Sequence, residues 1–545
     1  MKRRSSLTTI FALTLSGAMV ATLLWWAPSG AAPLPQASAS AASTSSLPTI
    51  SEIPAGTGTH GYPFDTVPST ALLPGAPAIN LSALGYVEHE FTMSGVTNEY
   101  QPSGLWLPNG DWGVSVAQSN VPYTTRLLVR YPTNPAKFNG TVVFEWLNDT
   151  TGSDEDPVWA ELYNQLLDNG YAYVGVTAQS AGMADLKAWD AARYGSLGDS
   201  SDSQSYDIFS QAAEAVKADS ATLLGGLTPK NLIGTGDSQS AFRIDTYVNA
   251  IQPVSHAFNG FLAVGRAAAA APLGNGLLMP LPFPALIRTD NTAPFIQLNT
   301  QGDVEELDDG AARQPDNNDL RTWELAGASH IDEHEAAYEL ETEFTEMPTE
   351  PIPDCLAGTP AVGLTNVNQA DNMPLFEVED AAIAALQTWI TAGVQPPHSP
   401  PISTTPLVFG LLNLVNTNSY GIAGGGIQLP EAQVPAESYS PINLANIDLS
   451  TVTLLSLLNQ VEAAITLLTT GTGSLANTAG RDEGLCLLSG YFNDLSSATL
   501  TSLYPTHASY VAKYTAAVNA EEAAGFLTPA DGAAAIANAQ ASSIP

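Results

Sequence analysis

The chain has 545 residues, with 54 Asp and Glu against 17 Lys and Arg, so its formal net charge is −37 and its isoelectric point is near 4.1. So few basic groups leave little to neutralise phosphates, which argues against nucleic acid and against an anionic membrane surface as partners. A hydrophobic content of 44% fills a large core, in one large domain or a few ordinary ones.

Lys2, Arg3 and Arg4 open the chain, and an apolar run follows from Leu7 to Ala27. Pro28 breaks the run, and Ser29-Gly30-Ala31-Ala32 offers small residues for cleavage, so residues 1–32 read as a secretory signal peptide. The apolar run is long enough to anchor the chain in a membrane if it is retained. Export to a secreted or extracytoplasmic location is therefore expected, with no stable membrane insertion unless the signal stays uncleaved. Residues 33–55, rich in Ala, Ser and Pro at their start, read as a flexible linker. The chain has two cysteines, Cys355 and Cys486, and an exported protein is expected to bridge them. Two buried free thiols are the alternative.

Strands are predicted at 89–99 and 125–131. Thr141–Leu147 is a nearly continuous β-branched and aromatic run, the pattern of a strand buried on both faces of a mostly parallel sheet. Helical spacing over 157–168 ends at Asn169-Gly170, and 171–177 is the next strand. The alternation continues with a helix over 205–224, a strand from 231, a helix over 240–248, and strands at 258–264, 295–298 and 321–325. Strands separated by helices define an α/β class with crossover connections. Beyond His334 the texture turns to helices at 336–347, 377–392, 508–521 and 530–542, with Pro-rich loops over 394–406. This final third reads as either a second lobe or an elaboration of the first.

Gly236-Asp237-Ser238-Gln239-Ser240 has the form G-x-S-x-S, one residue away from the G-x-S-x-G nucleophile elbow. It stands where that elbow must stand, between an apolar strand and a helical run. A Gly/Ser turn that merely caps the helix is the simpler alternative. A serine hydrolase of this class needs its acid and then its histidine later in the chain. Asp303 follows the 295–300 strand, and His330 follows the last one, so both sit at strand C-terminal ends. Ser238 would be the nucleophile, His330 the base and Asp303 the residue that orients the imidazole. Glu305, Glu306, Asp308 and Asp309 crowd the same loop, and Glu305 is the next candidate acid. His334 is read as an exposed neighbour. The oxyanion hole is expected from the backbone N–H of Gln239 and from the stretch at Asn148.

No metal and no cofactor are expected. The sequence His330-Ile-Asp-Glu-His334 lacks a Glu directly after its first His, and no Gly-rich phosphate cradle follows the first strand. Arg243, Arg266 and Arg321 are candidates to anchor a substrate carboxylate, or else salt-bridge partners. The run Pro272–Pro284 is a candidate apolar acyl site.

Several segments together resemble the large bacterial alpha/beta-hydrolase-domain proteins with a G-x-S-Q-S-A elbow. They are VVFEWLNDTTGSDED (142–156), AYVGVTAQSAGMADLKAWDAARYGSL (172–197), GTGDSQSAFRIDTYVNA (234–250), RQPDNNDLRTWELAGASHID (313–332), LCLLSG (485–490) and the run 503–536. The resemblance implies an alpha/beta-hydrolase core over 56–335, with 336–545 as a C-terminal helical extension packing on or capping it. It also implies Ser238, His330 and Asp303 in the roles given above. The chain departs from the family at Gln428, where an Arg usually follows GGI, and in a Leu/Thr/Ser-rich insertion over 436–480. The expected activity is hydrolysis of a small or moderately apolar neutral carboxylic ester through an acyl-enzyme. An acyltransferase, or an amide or lactone hydrolase on the same triad, is the first alternative. A non-catalytic exported binding protein is the second, and it predicts Ser238 and His330 out of hydrogen-bond reach.

Overall fold

The apolar runs become one nine-stranded sheet. The computed structural model describes residues 47–71, 77–150, 152–199, 201–274, 282–291, 293–346, 370–407, 412–443 and 485–545. The signal-peptide reading of 1–32, Cys355, and the insertion beyond residue 443 lie outside the described residues.

The strands are β1 (Thr49–Glu52), β2 (Tyr86–Pro102), β3 (Val114–Pro132), β4 (Thr141–Trp146), β5 (Ala172–Val176), β6 (Asn231–Asp237), β7 (Gly260–Val264), β8 (Phe295–Thr300) and β9 (Leu320–Leu325). Their spatial order is β1-β2-β3-β5-β4-β6-β7-β8-β9. The strands from β4 to β9 are mutually parallel, and β1 to β3 form an antiparallel flank. The linker expectation is corrected here. Thr49–Glu52 pairs with β2 in register, so this part of residues 33–55 belongs to the sheet.

Alternation along each parallel strand assigns side chains to two layers. Val142, Phe144 and Trp146 of β4 enter one core, with Phe261 and Ala263 of β7. Val143 of β4, with Leu262 and Val264 of β7 and Ile296 and Leu298 of β8, enters the other. The helices divide accordingly. They are α1 (Pro157–Asp168), α2 (Ser180–Trp189), α3 (Ser205–Ala218), α4 (Gln239–Thr246), α5 (Gln301–Glu306), α6 (Glu333–Glu346), α7 (Leu375–Ala392), α8 (His507–Ala524) and α9 (Pro529–Ala541). Apolar residues of α3 and α4 fill the first core, whereas those of α1, α7, α8 and α9 fill the second.

Two details explain local choices. Glu145 sits in the buried β4 because its carboxylate takes the first amides of α1, from Val158 at 2.8 Å and Trp159 at 3.0 Å. A carboxylate at a helix N-terminus contributes roughly 0.3–1 kcal/mol. The final third of the chain docks onto the sheet. Trp323 of β9 meets Phe526 edge-on at 5.0 Å between ring centroids, and Gln387 of α7 donates to Thr141 of β4 at 2.9 Å. Among the described residues no helix is long and apolar enough to cross a membrane.

Candidate active site

Ser238 stands between β6 and α4 with φ 52° and ψ −118°, a positive-φ backbone that costs on the order of 1–3 kcal/mol for a residue with a side chain. Its N–H donates to the Val264 carbonyl at 3.0 Å, which ties the turn to β7. Gly236 is obligatory, because a Cβ there would lie 2.8 Å from the backbone of Ser240. Ser240 does more than fit. Its hydroxyl donates to the Asp237 carbonyl at 2.8 Å and accepts the Asp237 N–H at 3.2 Å, so the serine closes the elbow where the usual motif has glycine.

His330 comes from the loop after β9, and its Nε2 lies 2.8 Å from Ser238 Oγ. Its Nδ1 lies 2.5 Å from Asp303 Oδ1. Asp303 is held by a reciprocal capping box at the start of α5. The Thr300 N–H donates to Asp303 Oδ2 at 2.6 Å, and the Asp303 N–H donates to Thr300 Oγ1 at 3.1 Å. The three residues are buried, and Ser238 and His330 stand in the wall of an open cleft. Burial pushes the His330 imidazole down, but the charge and hydrogen bond of Asp303, with Asp237 behind them, raise its pKa above the ordinary value. Burial pushes the Asp237 carboxyl up to about 7, although the charge of His330 opposes it.

The oxyanion expectation divides. Gln239 is the first residue of α4, where a backbone N–H has no partner within the helix. Its side chain is held by Gln179, which also accepts from Trp146. In the stretch at Asn148, the N–H of Asn148 itself donates to the Glu155 carbonyl at 2.8 Å. Its side-chain amide instead donates to the Asp237 carbonyl at 3.1 Å, bracing the residue before the nucleophile.

Other candidates are placed elsewhere. His334 is half-buried and stacked between Tyr163 and Phe376, at 5.4 and 4.4 Å, and burial lowers its pKa. It is therefore not the exposed neighbour expected. Arg266 is bonded to Asp245 and Asp309, Arg243 faces Asp202 at 3.5 Å, and Arg321 donates to the Pro396 carbonyl and Gln395. The described part of Pro272–Pro284 does not line the cleft, and Leu273 packs into the core. Gln428 holds its own loop by donating to the Ala423 carbonyl at 3.0 Å. Cys486 is buried. Sequence reasoning missed Gln179 and Gly265. The second had a signal, a glycine directly after the strand that neighbours the elbow.

Three residues on the C-terminal edge of one parallel sheet, with an elbow serine among them, define a hydrolase fold. The chain matches the Alpha/beta hydrolase domain family over residues 51–537 and belongs to it. It is similar to the esterase Est22, at 10% identity and TM-score 0.23, covering 41% of this chain and 66% of that one. It is also similar to an esterase from Rhizomucor miehei, at 10% identity and TM-score 0.23, with coverage of 44% and 74%. A carboxylesterase from Lactobacillus plantarum is similar at 11% identity and TM-score 0.22, with coverage of 37% and 71%. No curated protein matches the chain.

Proposed function

We propose that the protein is an exported serine hydrolase of the G-x-S-Q-S-A type that cleaves carboxylic esters through an acyl-enzyme. The observation that carries the reading is the chain of contacts from Ser238 Oγ through His330 to Asp303, at 2.8 and 2.5 Å. Ser238 Oγ attacks the ester carbonyl while its proton passes to His330 Nε2. The Gln239 N–H, and a second donor from the loop after β4, stabilise the oxyanion. The leaving alcohol takes the proton from His330 as its C–O bond breaks. Water then attacks the acyl carbonyl and gives a proton to His330, which passes it to Ser238 Oγ as the acyl C–O bond breaks and the acid leaves. Asp303 fixes the imidazole tautomer and stabilises its charged form.

A binding protein on the same fold predicts Ser238 and His330 apart, so the 2.8 Å contact favours catalysis. Two further features belong to this proposal. Residues 1–32 direct export, and Cys355 is bridged to Cys486, a pairing supported by the absence of a free cysteine among the described residues. Such a bridge contributes about 4–5 kcal/mol in loop-entropy terms. The test is hydrolysis of a p-nitrophenyl ester panel by the wild type beside Ser238→Ala. A loss of about 10³-fold or more in a folded variant supports the reading, and equal rates contradict it. Product analysis with an added alcohol separates hydrolysis from acyl transfer.

A further inference from the structure

Among the described residues, the cleft that ends at Ser238 is lined by six acidic residues, Asp65, Glu155, Asp237, Glu335, Glu339 and Glu346, and by no Lys or Arg. Glu335, Glu339, Thr342 and Glu346 recur at i, i+4, i+7 and i+11 on α6, which puts them on one stripe of the helix. At about 1.5 Å per residue the stripe runs roughly 16 Å. Its sequence EHEAAYELETEFTE contains no basic residue other than His334, whose ring is stacked away between Tyr163 and Phe376. Glu335 is at the end near Asp237, whose charge acts on it, and Glu346 accepts the Asp65 N–H at 2.5 Å at the far end.

Asp65 is the independent sign that this wall is made for a ligand. It is 1% exposed, and its Oδ2 has no hydrogen-bond partner. The charge of Arg126 acts on it, but the neighbouring guanidiniums give their hydrogen bonds to other groups. Arg126 donates to Glu90, Asp154 and the Phe64 carbonyl, and Arg130 to Glu88, Asp156 and the Asp65 carbonyl. A buried carboxylate without a partner is costly, and a cation beside it removes that cost. Carboxylates strung along a cleft suit an elongated organic cation. Among the described residues no three His, Cys, Asp or Glu side chains converge to hold a metal ion.

We propose that the substrate is an ester carrying a cationic group, an ammonium or guanidinium, held by Asp65 and the Glu335–Glu339–Glu346 stripe while its carbonyl lies at Ser238. This rests on the ester-hydrolase reading and replaces the neutral ester expected from composition. Burial above all, with neighbouring carboxyls adding to it, holds the carboxyls of Asp65, Glu335 and Glu346 well above the usual range, and the charge of Arg126 opposes this at Asp65 and Glu346.

The test compares esters matched in shape, one ending in a trimethylammonium group and one in a tert-butyl group. One pair carries the group on the acyl side at several chain lengths, and one carries it on the alcohol. The expected result is a kcat/KM ratio of about tenfold or more in favour of the cation in at least one pair. That ratio shrinks with added salt and falls towards one in Glu335→Gln and in Asp65→Asn, made separately so that one serves if the other does not fold. Equal or faster turnover of the neutral member in every pair, or a ratio unchanged in both variants, overturns the proposal. Calorimetry of pentyltrimethylammonium with Ser238→Ala keeps the two claims apart. If no ester is hydrolysed, the hydrolase reading fails alone when binding is saturable and weakened by Asp65→Asn, and the cation site fails when there is no such binding.

Discussion

Gly265 touches the imidazole of His330 so closely that a Cβ on it would lie 2.7 Å from the ring's Cε1. Its φ of +63° independently disfavours any side chain. Gly265→Ala is therefore expected to push His330 off line between Ser238 and Asp303 without touching substrate. Misplacement on the order of 1 Å costs about 10²-fold. The expected outcome is a fall of that size in kcat with far-ultraviolet circular dichroism unchanged. Wild-type kcat would show that the contact does not position the base.

His330 must be neutral to accept the serine proton, and its pKa is raised despite burial. The acid limb of the kcat/KM profile is therefore expected to have its midpoint above 6.5, with activity lost as pH falls through it. Asp303→Asn removes the charge chiefly responsible for the rise. Its profile should shift to lower pH while kcat drops by roughly 10³–10⁴-fold. A limb that stays in place in the variant would assign it to another group.

Stability should decline as pH rises from 5 to 8. Burial pushes Asp245 up to about 6, and Asp237, Glu305, Asp308 and Asp309 up to about 7. These groups titrate near pH 4 when unfolded. Between the two values the folded state retains protons that the unfolded chain has released. Their stabilisation is complete below the unfolded pKa and is lost as pH rises through about 7. Self-repulsion of a chain already at −37 adds to the loss. The melting temperature is expected to fall by roughly 5 °C between pH 5 and pH 8. A rise over that interval would contradict the account.

Glu90 is fully buried under Arg126 at 2.7 Å, Arg193 at 2.5 Å and the Tyr194 hydroxyl at 2.7 Å. Arg126→Met leaves part of this cluster, and Asp154, buried without its cation. Breaking such a network from one side costs about 3–5 kcal/mol. Denaturant unfolding should show a loss in that range, and a loss under ~1 kcal/mol would show that the cluster contributes little.

The parallel sheet and the order Ser238, Asp303, His330 were legible because each depends on a local pattern, an apolar run ending in a polar strand tip. Other features depend on what meets across the chain. The choice of Asp303 over Glu305 follows from the capping box with Thr300, a T-x-x-D spacing that was open to reading. Ser240 looked like a weakening of the elbow, and only its two bonds to Asp237 show it closing the turn. The pairing of Thr49–Glu52 with β2 was hidden because a four-residue edge strand beside a Pro/Ser-rich stretch carries little pattern. The stacking of His334 joins α1, α6 and α7, which no local window contains. The acidic wall of the cleft was hidden for the same reason, since Asp65 meets Glu346 across 281 residues.

The most direct measurement is the intact mass and peptide map of the protein after treatment with a fluorophosphonate. One covalent adduct is expected, on Ser238, absent from Ser238→Ala and formed much more slowly in His330→Ala. An inert wild type, or an adduct that persists in Ser238→Ala, would contradict this expectation.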